Sequence, residues 1–555
     1  MTSGPGDETP RAVSLPPLDE VPGYDPEAGR IRTYAAVTGS RLDDWWERVS
    51  TRPGVLKLWH WGGPLLVTIV AALLRLVGLN YPHQLVFDET YYVKDAWTLS
   101  HLGYEAAWPA YADKDFANGI TDGYSSDQPA FVAHPPIGKW IISIGLALFG
   151  AQDSIGWRIS IAVCGILLVV LTMVIAKKLF RSTLMAVIAG GLLAIDGNAI
   201  VLSRVALLDT AVALFALIGV WFVLLDRDWS KRRLDRWIDR RSAAGRSIDW
   251  GPALWWRPWL IAAGLAFGIT SGIKWSGLYF LAVYAVYALV TDLLARRKAG
   301  VTFFATSTIL KQGPVTFLLM VPIALVTYVA SWTGWFVTAG GYYRHWIQDQ
   351  GGQAWNGILS WVPYSFQNWW HYQASMYGYN TTVHTPHAYQ ANPLTWLFLV
   401  RPTSMYYQST PNVGAETILD IANPLIWWGG TAAVFFLLVR LIIGAVRGRS
   451  VWRDGFILTG MVAGYLPWLL YLDRTVFQFY SITFEPYMIL ALTAALGALM
   501  GKPTDLEARR VAGLRFVGGF LIVCVAVSAF FLPVWTAENI PYWFMRLHFW
   551  FPSWA

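Results

Sequence analysis

The chain has 555 residues, of which 55% are hydrophobic and only 14% are charged. A composition this apolar excludes an ordinary soluble globular domain and predicts a protein with many membrane spans. The formal net charge of +7 does not indicate nucleic-acid binding, because the Lys and Arg residues lie in short loops between apolar segments.

The chain begins with a polar segment and continues with a series of apolar runs. Residues 1–57 are rich in Pro, Asp and Glu, so we expect a disordered cytoplasmic tail. The later runs predict about eleven transmembrane helices. They cover 58–79, 157–177, 183–197, 208–225, 258–272, 275–293, 313–333, 424–446, 455–471, 477–500 and 511–534. A further apolar stretch beginning at Ile137 is too short to span and is expected to lie in the membrane interface.

Basic residues are concentrated in alternate loops. These loops cover 177–181, 227–257, 296–298, 440–453 and 502–510. Cytoplasmic loops carry an excess of Lys and Arg, so this side is predicted to be cytoplasmic. The N-terminus is then inside, the C-terminus is outside, and the two longest loops lie outside.

We expect four regions along the chain. They are the tail 1–57, an N-terminal membrane module 58–333 that includes the external loop 80–156, an aromatic-rich external loop 334–423, and a module 424–555 with four helices and an external tail.

Two adjacent carboxylates, Asp88 and Glu89, follow the first apolar run. Ionised groups at a membrane boundary cost free energy, so such a pair points to function. Like charges side by side also separate the proton affinities of the two groups and leave one of them a better base. The structural alternative is that one carboxylate caps the helical turn that begins at Thr90.

Six motifs resemble one family, the actinobacterial protein O-mannosyltransferases of the GT-C glycosyltransferase superfamily. In chain order they are Phe87-Asp88-Glu89-Thr90-Tyr91-Tyr92, His134-Pro135-Pro136-Ile137-Gly138-Lys139, Trp157-Arg158, Ser203-Arg204-Val205-Ala206-Leu207-Leu208-Asp209, Ser271-Gly272-Ile273-Lys274-Trp275-Ser276-Gly277 and Tyr465-Leu466-Pro467-Trp468 running to Arg474. The resemblance implies an all-α polytopic membrane protein with the GT-C fold. It also implies transfer of mannose, with inversion, from polyprenyl-phosphate-mannose to Ser or Thr hydroxyls of secreted proteins.

The resemblance assigns Asp88 as the catalytic base and Glu89 as its support. Arg158, Lys274 and Arg474 lie at the external ends of separate predicted spans and match the family's contacts to the lipid phosphate. Arginine and lysine both suit phosphate oxygens. The alternative for each is snorkelling of a basic side chain to the interface.

Three further residues are candidate substrate contacts. Arg204 and Asp209 lie five residues apart, a spacing that does not stack them well on a helix, and they either brace neighbouring helices as a structural ion pair or contribute to the site. His134 precedes two prolines that stiffen the chain, and a structural role is equally open for it.

The loop 334–423 interleaves Tyr and Trp with Asn, Gln and His. This mixture suits recognition of a sugar or an extended peptide, and packing on the membrane surface is the alternative. The eukaryotic members of the family differ here, because they carry a β-trefoil domain in a comparable loop. The loop 334–423 is too short to hold that domain.

We expect no metal and no cofactor. His384, His387, Glu416 and Asp420 match no tight ligand spacing, and a lipid monophosphate donor carries no pyrophosphate to neutralise. The expected partners are polyprenyl-phosphate-mannose and secreted or membrane acceptor proteins, with the Sec secretion channel as a candidate.

Two rival functions remain open at this point. One is a related GT-C enzyme that transfers aminoarabinose or arabinose, since a fold does not fix the substrate. The other is a transporter, which should show intramembrane charges or paired broken helices near the midplane, ideally as internal repeats. We expect a cell-membrane enzyme whose active site faces outside.

Overall fold

The protein is described by a computed structural model that covers residues 24–25, 30–31, 52–411, 414–502 and 504–555. The predicted tail lies mostly outside the described residues. Its last residues, from Pro53, already belong to the first helix.

Helices make up most of the described chain. In order they are α1 Pro53–Leu76, α2 Glu89–Leu102, α3 Ala112–Ala117, α4 Ile137–Phe149, α5 Ser154–Phe180, α6 Thr183–Ile195, α7 Gly197–Arg204, α8 Asp209–Ala243, α9 Pro258–Ile273, α10 Gly277–Lys298, α11 Phe304–Ser307, α12 Gly313–Ser331, α13 Thr333–Val337, α14 Trp346–Asp349, α15 Tyr364–Thr382, α16 Pro424–Val446, α17 Trp452–Gly464, α18 Glu485–Met500, α19 Glu507–Trp535 and α20 Tyr542–Arg546.

Among the described residues, seven helices are long and apolar enough to cross a membrane, and an eighth span forms if α6 and α7 are counted as one bent span. The helix α11, a π-helical turn and α12 together make one of the seven. The other three expected spans, 258–272, 455–471 and 477–500, correspond to the shorter helices α9, α17 and α18. The short helix expected at Ile137 is present as α4.

The bend between α6 and α7 is 59°. Arg75 of α1 reaches this break and donates to the carbonyl oxygens of Leu193 and Ala194 and to the Ser203 hydroxyl. Carbonyls freed at a helix break need such partners inside a membrane. Just after α7, the Ala206 N–H donates to Glu89 of the first long loop, so the chain beyond the bend lies against that loop.

The structure also contains strands, so the all-α expectation is incomplete. The strands are β1 Tyr24–Asp25, β2 Arg30–Ile31, β3 Ala106–Ala107, β4 Ser125–Pro129, β5 Thr403–Thr410, β6 Gly414–Asp420 and β7 Ile540–Pro541. The last three form an antiparallel sheet in which β6 is central. The sequence Thr403–Thr410 is rich in Thr, Tyr and Ser, a composition compatible with a strand beside the membrane.

The region 334–423 is therefore more ordered than a loop. It contains α15 and the strands β5 and β6. Trp369 and Tyr372 of α15 are buried against Trp332 and Trp335. This aromatic cluster fixes α15 so that its C-terminal end reaches the cavity described next.

Candidate active site

A cavity of about 210 Å³ lies among segments that were predicted to be external. Its wall is formed by the first long loop, the start of α8, the junction of α9 and α10, the end of α15 and the chain after α17. The lining residues are Ala133, His134, Asp209, Lys274, Trp275, Ser276, Leu278, Tyr279, Tyr377, Asn380, Thr381, Trp468, Tyr471, Arg474 and Tyr480.

Asp88 lies beside these lining groups, immediately before α2. Its carboxylate lies near the Tyr92 hydroxyl and faces both Lys274 and Asp209. Burial raises the pKa of Asp88 to about 6. The positive charge of Lys274 lowers this pKa, and the negative charge of Asp209 raises it. A base with a pKa near the working pH is well suited to proton transfer. The side chain makes no capping hydrogen bond to α2, so the capping alternative is wrong for Asp88.

Glu89 has quite different surroundings. It is fully buried and accepts hydrogen bonds from Arg158 at 2.8 and 2.9 Å. The backbone N–H groups of Val86 and Ala206 donate to the same carboxylate at 2.9 and 2.8 Å. Four donors leave Glu89 no accessible lone pair for a substrate. It joins the first long loop to α5 and to the segment after α7.

Arg158 lies behind the cavity rather than in its wall. Beyond its two bonds to Glu89, it donates to the carbonyl oxygens of Leu79, Pro82 and Gln84 at 3.0–3.2 Å. All five guanidinium N–H groups are thus used within the protein. This placement differs from the phosphate contact expected from the sequence, because the side chain turns inward from the helix end.

Lys274 and Asp209 form an ion pair in the cavity wall, with 2.7 Å between Nζ and Oδ2. Both side chains are largely buried, so the interaction is only weakly screened by solvent. The Lys274 ammonium also lies 5.0 Å from the centre of the Tyr480 ring. Lys274 therefore offers a positively charged group at the cavity, next to Asp88.

Arg204 does not pair with Asp209. It donates instead to the carbonyl oxygens of Leu74, Val77 and Gly78 at 2.7–3.1 Å, where α1 ends. Cations stabilise the carbonyl end of a helix. Of these two candidates, only Asp209 lines the cavity.

Arg474 is the second cation in the cavity wall. One of its terminal nitrogens donates to Asn380 Oδ1 at 3.2 Å. Its Nε is buried and has no hydrogen-bond partner among the described residues. A buried N–H without a partner costs free energy, and a phosphate oxygen would satisfy it.

His134 lines the same cavity. Burial, followed by the charges of Lys274, Arg474 and Lys139, lowers the pKa of His134 well below its usual value. The imidazole is therefore neutral at physiological pH, and it can donate or accept a hydrogen bond without adding charge.

Sequence reasoning missed Tyr92, Asn380 and most of the aromatic wall. Tyr92 lies four residues after Asp88, a spacing that places both on one face of a helix and could have revealed it. The hydroxyls of Tyr279 and Tyr471 form a hydrogen bond of 2.8 Å at the cavity, although the two residues lie far apart in sequence. No local pattern predicts such a contact.

Three of the four metal-site candidates are engaged in separate contacts, whereas the buried carboxylate of the fourth, Asp420, has no hydrogen-bond partner among the described residues. His384 Nδ1 lies 2.9 Å from the carbonyl oxygen of Asp473, whereas Glu416 accepts hydrogen bonds from Tyr81 and Tyr406. His387 packs its ring against Phe477 with centroids 5.0 Å apart.

The chain matches two family models. Residues 65–338 match the model described as dolichyl-phosphate-mannose-protein mannosyltransferase. Residues 365–554 match the C-terminal four-transmembrane region of protein O-mannosyltransferases. The two matches together cover the membrane modules on both sides of the aromatic-rich region.

Curated relatives and a solved structure agree with these matches. The polyprenol-phosphate-mannose–protein mannosyltransferase of Mycolicibacterium smegmatis is 31% identical over 89% of this chain and 93% of its own length. The corresponding protein of Corynebacterium glutamicum is 30% identical over 88% of this chain and 92% of its own length. The Pmt1-Pmt2 complex of Saccharomyces cerevisiae, solved with its sugar donor, shares the fold with a TM-score of 0.66. The match has 14% sequence identity and covers 89% of this chain and 92% of the matched chain. The chain therefore belongs to the protein O-mannosyltransferase family.

Proposed function

We propose that this membrane enzyme transfers mannose from polyprenyl-phosphate-mannose to Ser or Thr hydroxyls of secreted or membrane proteins. The names of its relatives support the donor and the protein acceptor. The observation that carries the proposal is the placement of Asp88 beside the Lys274–Asp209 pair, at a cavity that also holds Arg474.

Asp88 is the proposed general base. It accepts the proton of the acceptor hydroxyl while that oxygen bonds to the anomeric carbon of mannose. The bond between this carbon and the phosphate oxygen breaks on the opposite face, so the configuration inverts and polyprenyl phosphate leaves. A positioned base of this kind contributes roughly 10²–10⁴-fold to a rate.

Lys274 and Arg474 are the proposed contacts of the departing phosphate. Lys274 is held by Asp209, and Arg474 keeps a buried N–H without a partner in the described residues. Fixed cations at the position where charge develops stabilise the transition state. With these two cations in the wall, the reaction as proposed uses no metal and no cofactor.

Glu89 and Arg158 are proposed to position Asp88 rather than to contact substrate. Their ion pair holds the loop at Val86 and the segment at Ala206 around the start of α2. Arg204 stabilises the end of α1 in the same way. His134 is proposed as a neutral substrate contact.

The topology proposed for the chain has eleven spans, with the short helices α9, α17 and α18 included, and with the cavity on the extracytoplasmic side of the cell membrane. The concentration of basic residues in the loops at the other end of the helices supports this orientation. The membrane modules 58–333 and 424–555 then enclose the cavity from two sides. A site facing outside is also compatible with acceptors delivered by the Sec channel.

The test is transfer of labelled sugar by the purified chain in lipid vesicles. Polyprenyl phosphate carrying mannose and the same lipid carrying arabinose or aminoarabinose are each incubated with a Thr-rich peptide. Mannose recovered in the peptide, and little of the other sugars, supports the proposal. Transfer of a pentose with no transfer of mannose would assign the chain to the rival activity.

A further inference from the structure

A second cavity lies at the other end of the C-terminal helices. It has a volume of about 600 Å³ and lies between the C-terminal half of α16 and the start of α17. The helix α17 begins at this cavity with Trp452, and the chain that continues from it reaches Arg474 in the active-site cavity. The second cavity therefore opens on the side of the basic loops, away from the mannosyl-transfer site.

One wall of this cavity is apolar and faces the membrane. It is formed by Phe436, Val439 and Ile443, which lie on one face of the candidate span α16. These side chains are 43%, 54% and 45% exposed. Exposed apolar side chains on a membrane span contact the acyl chains of lipids.

The other wall is basic, and its charge is only partly neutralised. Arg440 is held by Asp454, with 2.7 Å between Nε and Oδ2. Arg449 and Arg453 also line the cavity, and neither forms a salt bridge to another described residue. The Arg453 guanidinium lies 5.6 Å from the centre of the Trp452 ring. Two guanidinium groups are therefore available to an anion.

We propose that this cavity binds an anionic phospholipid from the leaflet that faces the basic loops. The headgroup phosphate lies between Arg449 and Arg453, and the acyl chains lie along Phe436, Val439 and Ile443. Arginine matches phosphate oxygens with two parallel N–H groups. Basic pockets between helices at a membrane surface suit anionic headgroups. A zwitterionic lipid carries its own cation and gains less from the same wall.

The experiment is native mass spectrometry of the full chain, purified in detergent and titrated with phosphatidylglycerol or phosphatidylcholine. We expect phosphatidylglycerol to bind more tightly, and the double variant Arg449→Gln/Arg453→Gln to weaken its binding by about tenfold or more. The matched control is Arg232→Gln/Arg236→Gln, which removes two exposed arginines of α8 outside the cavity. Its affinity for phosphatidylglycerol should stay within about twofold of wild type.

Several outcomes would overturn the proposal. Equal losses of phosphatidylglycerol affinity in the cavity variant and the control variant would show that the lipid is held by general surface charge. Displacement of the lipid by equimolar glycerol 3-phosphate would show a site for soluble phosphate. A dimer that is lost in the cavity variant while lipid binding persists would show an interface between copies.

If the double variant unfolds, Arg449→Gln and Arg453→Gln are tested singly, and each should weaken binding by roughly fivefold. Unchanged affinity in both would reject the site.

Discussion

Glu89 and Arg158 form a buried ion pair with two contacts, at 2.8 Å between Nε and Oε1 and at 2.9 Å between Nη2 and Oε2. The pair gives two adjacent carboxylates different tasks. Glu89 is saturated by donors, whereas Asp88 faces Lys274 and the cavity. Substitutions at the two positions should therefore fail in different ways.

Removing one partner of the buried pair should destabilise the fold. Glu89→Gln leaves the Arg158 charge without compensation, and breaking such a pair costs about 3–5 kcal/mol. We expect a clear drop in the thermal unfolding temperature of the purified protein, with activity lost in step with the folded fraction. Arg158→Lys should be nearly as damaging, because lysine cannot replace five N–H donors in a plane.

Asp88→Asn is the matched control for these two variants, since it changes the adjacent carboxylate. Its unfolding temperature should stay close to that of wild type or rise, because an ionised group near Asp209 is replaced by a neutral one. An unchanged unfolding temperature in Glu89→Gln would show that the ion pair does not hold the loop.

The pH dependence of transfer should follow Asp88. A base must be deprotonated, so kcat/KM should rise with pH through about 6 and then level off. Lys274 lowers the pKa of Asp88, so Lys274→Gln should move this rise to higher pH. Asp209 raises it, so Asp209→Asn should move the rise to lower pH. Shifts in the opposite directions, measured from initial rates, would contradict the assignment of the base.

Arg474→Gln should weaken use of the lipid donor. A hydrogen bond to a charged group contributes about 1.5–3 kcal/mol, which corresponds to a fall in kcat/KM for the donor of about 10- to 100-fold. Arg546, an exposed arginine of α20, provides the control, and Arg546→Gln should leave the donor kinetics unchanged. Equal kinetics in the two variants would make Arg474 an interface anchor.

The orientation can be measured by labelling introduced cysteines. The native Cys164 and Cys524 are buried and should react slowly. Asp127→Cys, in the first long loop, should react with an impermeant maleimide in intact cells. Ser242→Cys, near the end of α8, should react only after the cells are permeabilised. The reverse pattern would place the cavity on the cytoplasmic side.

The sequence was sufficient to identify the charged residues at the cavity and His134, but not its aromatic wall. Asp88, His134, Asp209, Lys274 and Arg474 all meet at or beside it. Motifs at helix ends predict such convergence, because membrane depth alone brings these positions to one level. Membrane depth does not determine the direction in which a side chain points.

Arg158 and Arg204 show this limit. Both were expected near substrate, and both instead satisfy backbone carbonyls of the chain around α1. Their partners lie far away in sequence, so only the folded packing identifies them. The third strand of the sheet, β7, escaped notice for a related reason, since it comes from the distant residues Ile540–Pro541.

The central claim is that Asp88 is the base, and its most direct test is the transfer rate of Asp88→Asn with polyprenyl-phosphate-mannose and a Thr-rich peptide in vesicles. Asp127→Asn, an exposed position in the same loop, is assayed beside it. We predict a loss of roughly 10²–10⁴-fold for Asp88→Asn with normal folding, and wild-type activity for Asp127→Asn. A rate for Asp88→Asn within about threefold of wild type would contradict the assignment of Asp88 as the base.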